Sequence, residues 1–319
     1  MNSIRKFLRL VEIQTKVASM LPFLLGSVYA WFRFQSFDIS LWLLMFASLL
    51  LFDMTTTAIN NLYDYVKAQK KQGYGYEEHN AIVKYGMNPI AVFILIVVMF
   101  LTSVAAGLLL VAQTGLVVLA LGALSFGVGI LYSFGPLPIS RMPLGELFSG
   151  LFMGFVITFV AAYIHTDGNQ LAAITLEGGM LGVSVNLLET FLLLLVSMPA
   201  VLGIAGIMLA NNICDMEDDL ANKRYTLPVY IGQEKALLLF HIIYYAALLD
   251  VPILLIMGVH PLIALPLLLT LIPVRRNIKT FSKAPAKATT FVLAVKNFSL
   301  TTAARIAVML LAIFIPWHY

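Results

Sequence analysis

LWLLMFASLLLFDMTTTAINNLYDY, residues 41–65, begins as an unbroken apolar run and closes on two amides and a carboxylate. Crossing a bilayer takes about 20 mostly apolar residues in a helix, and Leu41 to Tyr63 meets that length. The same reading repeats along the chain. Runs near 17–33, 41–63, 89–112, 115–134, 144–165, 189–213, 236–257, 259–274 and 300–316 give nine expected spans, with the eighth interrupted by Pro261, Pro266 and Pro273. The expected fold class is an all-α integral membrane protein.

Composition agrees with that reading. The chain is 61% hydrophobic and 11% charged, with a mean hydropathy of +0.92, whereas soluble domains carry about 25% charged residues. One cysteine, Cys214, excludes an internal disulfide, and the five histidines have no zinc-site spacing. The first apolar run follows Arg5, Lys6, Arg9 and Lys16 without a small-x-small cleavage site, so it reads as a retained span. Glu12 and Lys16 read as a surface helix pair.

Charge distribution sets an orientation, because short loops rich in Lys and Arg stay cytoplasmic. With the N-terminus inside, the inner segments hold Lys67, Lys70, Lys71 and Lys84, then Arg141, then Lys223, Arg224 and Lys235, then the group from Arg275 to Lys296. Of 20 basic residues only Arg33 falls outside. Trp31, Trp42 and Trp317 fall at the outer interface, where amphipathic rings prefer to lie. The net charge of +4 is therefore a matter of membrane topology, and no nucleic-acid partner is expected. No protein partner is required by the sequence. Residues 1–319 read as a single transmembrane domain with inner cap loops near 65–88 and 216–235.

The second informative stretch echoes the first. Asn60-Asn61-Leu62-Tyr63-Asp64 ends span two, and Asn211-Asn212-Ile213-Cys214-Asp215 ends span six, followed by Asp218 and Asp219. Residues four apart share a helix face. Asn60 with Asp64, and Asn211 with Asp215 and Asp219, therefore form two stripes of oxygen ligands, and Asp53 lies deeper on the first. Ionisable groups at membrane depth are costly unless they face a partner or a cavity. Hard oxygen donors without His or Cys suit Mg²⁺, which is usually completed by substrate phosphate. Lys67, Lys71, Lys223 and Arg224 follow the stripes closely, and Arg141 occupies an intervening inner loop, so an anionic ligand is expected there. Asn61 and Asn211 are placed on the same diphosphate side. A single NNxxD is commonly a helix end with polar capping residues; its repetition at equivalent depth favours one shared site.

A third cluster is Tyr132-Ser133-Phe134-Gly135-Pro136-Leu137-Pro138, followed by Pro143-Leu144-Gly145-Glu146. Gly and Pro at this density make a tight inner loop, and Tyr132 and Ser133 emerge at the depth of the acidic stripes.

NNLYDY, YSFGPLPISRMPLGE and ANNICDMEDDLANKRYTLPVYIG, in that order, resemble the UbiA superfamily of intramembrane polyprenyltransferases, in particular those members that act on 1,4-dihydroxy-2-naphthoate in menaquinone synthesis. The resemblance implies nine transmembrane helices around a central cavity open sideways to lipid. It implies Mg²⁺ as cofactor, held with the diphosphate by Asn60, Asp64, Asp215 and Asp219. Tyr132 and Ser133 would lie near the bond that ionises, and Lys223 and Arg224 on the diphosphate. Asp64, Asp215 and Tyr132 are thus the expected catalytic residues. The chain departs from the family pattern at Ala68, where a further Asp is common, so the first half-site is leaner.

The reaction implied is transfer of a polyprenyl group from polyprenyl diphosphate to dihydroxynaphthoate, in the cell membrane, with the active site on the cytoplasmic side. Other aromatic acceptors such as 4-hydroxybenzoate are the nearest alternative. From a different class, a cation-coupled secondary transporter also uses intramembrane acids, but here they cluster with lysines at one interface rather than at the midplane. The DGxxAR run of phosphatidyltransferases is absent.

Overall fold

The computed structural model describes residues 3–67, 80–133, 139–167 and 170–315, with the backbone alone for Lys67, Ile130, Tyr132 and Ser133. Ala68, Lys70, Lys71, residues 134–138, where a tight loop is expected, and Trp317 lie outside the described residues. The chain forms two compact units, one of residues 1–20 and 40–113, the other of 21–39 and 114–319.

The first unit holds α1 (Ser3–Leu10), the start of α2 (Val17–Phe34), α3 (Ile39–Lys67), α4 (Ala81–Lys84) and α5 (Pro89–Thr114). Pro89 begins α5, where a missing N–H costs nothing, and the Asn88 side chain accepts from Ile90 N (2.9 Å) and Ala91 N (3.4 Å). Leu10, Met54, Ala58, Ile82, Val92 and Ile96 form its core. Helices α3 and α5 meet at a pair of serines: Ser48 Oγ donates to Ser103 O (3.0 Å) and Ser103 Oγ to Ser48 O (2.8 Å). Apolar surface gives little net drive in lipid, so small residues and such polar contacts hold helices together.

In the second unit follow α6 (Leu116–Ser133), α7 (Gly145–Tyr163, wound as a π-helix over Gly150–Val156), a hairpin, and α8 (Leu187–Cys214). Then come α9 (Met216–Ala221), α10 (Leu227–Ile231), α11 (Gln233–Ala246), α12 (Val251–Ile256), α13 (Pro261–Lys283) and α14 (Val292–Phe314). Helix α8 is the centre of this unit and packs against α7, α11 and α14. A Cβ on Gly154 would lie 2.5 Å from Val201 Cα, and one on Gly203 would lie 2.7 Å from Phe298 Cδ2. Close helix approach in membranes is bought by such small residues.

Eight helices among the described residues are long and apolar enough to cross a membrane. The remaining expected span, 115–134, falls on α6, a shorter apolar helix. Expectation and structure part at the eighth span, expected to stop at residue 274. Helix α13 instead runs on to Lys283, because Val274, Ile278 and Phe281 keep an apolar stripe buried while Arg275, Arg276 and Lys279 occupy its other faces.

Two features were not expected from the sequence. Residues 172–185 form an antiparallel hairpin, Ala172–Glu177 against Met180–Val185, turned by Gly178 and Gly179 at φ 57° and 79°. Its apolar side chains line, with Val117, Leu121, Phe155 and Phe159, an apolar pocket of about 280 Å³. Arg305 within α14 is fully buried and bidentate to Asp250, through Nε to Oδ2 and Nη2 to Oδ1, both 2.7 Å. Its Nη1 donates to Thr301 O (2.9 Å) and Nη2 also to Ala247 O (3.0 Å).

His165, two residues past α7, is buried and stacked on Phe37 at 4.6 Å, and its Nδ1 accepts from Asp38 N at 3.0 Å. Burial pulls its pKa down to about 4, against the opposing influence of Asp38.

Candidate functional site

On the first unit the NNxxD segment is the last turns of α3. Neighbouring helical residues project about 100° apart, so the asparagine doublet must split between faces. Asn60 and Asp64 are exposed, whereas Asn61 is buried. The Asn61 amide donates to Leu10 O (3.1 Å), Thr57 O (3.3 Å) and Glu12 Oε1 (3.4 Å). The Asn61 backbone carbonyl accepts from Asn80 Nδ2 (2.7 Å), and Asn80 Oδ1 caps α4 through Ile82 N and Val83 N. Asn61, expected on the diphosphate side, is therefore the tether that fixes the N-terminal segment and α4 to the end of α3.

Deeper on α3, Asp53 already has its cation. Lys16 Nζ donates to Asp53 Oδ1 (2.6 Å), Asp53 O (3.0 Å) and Thr57 Oγ1 (2.7 Å), and Ser19 Oγ donates to Asp53 Oδ2 (2.5 Å). Lys16 is only 3% exposed. The expected surface pair of Glu12 and Lys16 does not form, because Glu12 adopts a left-handed backbone, φ 48°, that interrupts the helix at Glu12, and a 3-10 turn from Ile13 to Lys16 follows. All three ammonium protons have acceptors, as a buried charge requires.

The second NNxxD splits in the same way. Asn212 is 1% exposed and donates from Nδ2 to Glu146 Oε1 (2.8 Å), a buried carboxylate at the start of α7. Asn211 and Asp215 are half-buried on the other face, with Asn211 Nδ2 near Asp215 Oδ2 (3.4 Å). The same carboxylate oxygen accepts a hydrogen bond from Lys287 Nζ, a residue the sequence placed only among the topogenic charges.

Asp219 differs from Asp215. It is 2% exposed, accepts from Thr226 Oγ1 (3.0 Å), and pairs with Arg224 Nε (3.3 Å). Arg224 Nη2 also lies 3.4 Å from Ser140 O, and Tyr225 N donates to Arg141 O (3.2 Å). The segment after α8 is thereby tied to the loop before α7, with Arg141 and Lys223 exposed. Lys223 takes a left-handed φ of 56°, which ends α9 and brings Arg224 N back to Asp219 O (2.8 Å). Tyr132 and Ser133 close α6 and Lys67 closes α3, with their side chains outside those described.

Asn211 and Asp215 offer hard oxygen donors, and the Asp215 carboxylate binds a cation, the Lys287 ammonium, in the structure itself. That donor chemistry fits Mg²⁺. No three His, Cys, Asp or Glu side chains among the described residues form a protein-only metal cage. Mg²⁺ typically uses one or two carboxylates and takes its other ligands from water and phosphate.

The UbiA prenyltransferase family matches residues 19–298. The 1,4-dihydroxy-2-naphthoate octaprenyltransferase of Bacillus subtilis (strain 168) is 31% identical over 234 residues, covering 72% of this chain and 67% of that one. A UbiA homolog from Archaeoglobus fulgidus, solved bound to GPP and Mg²⁺, superposes with a TM-score of 0.58 at 15% identity, over 97% of this chain and 99% of that one. The apo UbiA homolog from Aeropyrum pernix K1 gives 0.60 at 18% identity, over 95% and 98%. At such identities the structural likeness concerns the fold alone. The family match, which spans all but the two ends of the chain, leads to one conclusion: this protein belongs to the UbiA family and is a membrane-embedded prenyltransferase.

Proposed function

We propose that the protein transfers a polyprenyl group from polyprenyl diphosphate to 1,4-dihydroxy-2-naphthoate, with Mg²⁺, forming the quinol of demethylmenaquinone and releasing diphosphate and carbon dioxide. The observation that carries the acceptor is the 31% identity, over most of the chain, to an octaprenyltransferase for that compound. The relatives solved with GPP or DMAPP and Mg²⁺ support the donor class and the metal. Nine spans enclosing a cavity with a lateral opening, and a cytoplasmic N-terminus and active site, belong to the same reading.

In this reading Asn60, Asp64 and Asp215 hold the metal, Asn211 contacts the diphosphate, and both NNxxD segments serve that one diphosphate. Their support is the repeated motif and the exposure of its first Asn and its Asp on one face of α3. Asp219 enters differently from the sequence expectation: Thr226 and Arg224 already occupy its carboxylate, so it holds Arg224 toward the diphosphate. Mg²⁺, when bound, neutralises the departing diphosphate. Lys67, Arg141, Lys223 and Arg224 add positive charge around it. Tyr132 and Ser133 contact the ionising end, and the aromatic faces of Tyr63 and Tyr65 shield the allylic cation. Surrounding apolar helices exclude the water that would trap the cation as an alcohol.

The test is turnover by the purified protein with Mg²⁺, a polyprenyl diphosphate and a panel of aromatic acceptors. Prenylated naphthoquinol is the expected product, lost in Asp64→Ala and in Asp215→Ala while both variants stay folded. Full turnover by both variants would overturn the shared-diphosphate reading. Product from 4-hydroxybenzoate in place of dihydroxynaphthoate would overturn the acceptor.

A further inference from the structure

Lys287 is 56% exposed, and a long, exposed side chain ordinarily samples many rotamers. Here its backbone is held in a closed turn between α13 and α14. Thr290 Oγ1 accepts from Ala286 N (2.8 Å) and donates to Ala284 O (2.8 Å), while Thr290 N and Phe291 N both donate to Ala286 O, at 2.9 and 3.0 Å. Lys287 stands inside that turn and its ammonium reaches the Asp215 carboxylate at the end of α8, 72 residues earlier in sequence. Asn211 Nδ2 approaches the same oxygen, Oδ2. Two donors thus converge on the atom that a divalent cation would take.

We propose that Lys287 is a resident counter-ion for Asp215, which the metal displaces, and that the displaced ammonium then binds the diphosphate that arrives with the metal. The proposal rests on the reading of Asp215 as a metal ligand. A lone pair that accepts from an ammonium is not available to a metal, so at Asp215 Oδ2 the two cations compete. The diphosphate carries several negative charges on strong acceptor oxygens, and an ammonium held at the edge of its site is a natural partner for one of them. The counter-ion pair also keeps the acidic stripe neutral in the metal-free protein, where an uncompensated carboxylate at the membrane boundary would be costly. Lys287 thereby becomes a substrate-binding residue from a loop that carries no motif.

The experiment titrates the purified protein with Mn²⁺, followed by electron paramagnetic resonance, and then with inorganic pyrophosphate in the presence of Mn²⁺. Wild type, Lys287→Ala, Lys287→Arg and Lys283→Ala are compared. Lys287→Ala should bind Mn²⁺ alone about two- to fivefold more tightly, the range an exposed ion pair allows, and should bind pyrophosphate more weakly by a similar factor. Lys287→Arg should restore the pyrophosphate affinity, and Lys283→Ala, which removes a nearby charge of the same sign, should change neither. Unchanged Mn²⁺ affinity in Lys287→Ala overturns the proposal, as does an equal rise in Lys283→Ala. A wild-type protein that binds neither Mn²⁺ nor pyrophosphate overturns instead the metal-site reading on which the proposal stands.

Discussion

Asn212 donates from its buried amide to the buried carboxylate of Glu146, 66 residues earlier, over 2.8 Å, joining the second NNxxD segment to the start of α7. The bond makes the second asparagine of the motif structural. Asn212→Ala removes the donor and leaves a buried carboxylate unsatisfied, a loss of about 1–3 kcal/mol. Thermal unfolding in detergent should show the drop, whereas Asn211→Ala should leave the midpoint near wild type. Equal midpoints for Asn212→Ala and wild type would contradict the assignment.

Asp250 and Arg305 form a pair with no exposed side-chain surface. Removing one partner strands the other, and Asp250→Leu or Arg305→Met alone should each cost about 3–5 kcal/mol. Replacing both at once, Asp250→Leu with Arg305→Met, should be far milder than either single change. Unfolding midpoints of the three variants form a thermodynamic cycle, and additive losses would show that the pair is not coupled.

Gly154 faces the Val201 backbone so closely that a methyl group cannot fit without moving α7 from α8. Gly154→Ala should destabilise by about 1–3 kcal/mol, the usual cost of overpacking. Gly122→Ala, where a Cβ meets nothing within 4 Å, is the matched control. Equal midpoints for the two variants would refute the close packing of α7 on α8.

His165 sets a pH dependence with a definite sign. Its pKa is about 4 in the folded protein and 6.5 when unperturbed, so the unfolded chain binds the proton more tightly. Stability from this group is complete above pH 6.5 and falls as pH drops from 6.5 toward 4, by roughly 1.4 kcal/mol per pH unit. Unfolding midpoints of wild type and His165→Gln between pH 4 and 7.5 test it: the variant should lack this component, and parallel curves would exclude His165 as its source.

Much of the fold was legible because lipid imposes one rule, a long apolar run per helix. What the sequence left open has physical reasons. The asparagine doublets were visible, yet which Asn faces inward was not, since α3 and α8 are apolar on nearly every face and give no stripe to orient them. The eighth span was cut short because Arg275, Arg276 and Lys279 read as loop charges, although Arg and Lys are good helix formers. The Gly178-Gly179 pair within Ala172 to Val185 carries a hairpin signal, but a short polar-poor segment between two spans is not distinguished by hydropathy from an irregular outer loop. Asp250 and Arg305 were each a lone charge in an apolar run, and such opposite singletons are a pairing signal that spacing alone does not reveal. Lys287 could not have been singled out, because it is one of many lysines on its side and its contact depends on a turn.

The Arg305 pair also constrains how the chain enters the membrane. Helix α14 carries a guanidinium near its middle, which costs about 2.5–3.5 kcal/mol when a helix centre is handed to lipid. Its partner, Asp250, belongs to a segment synthesised 55 residues earlier. Helix α14 is therefore better accommodated against the segment that carries Asp250 than in bare bilayer. The pair joins two charges that neither helix could easily carry into lipid by itself.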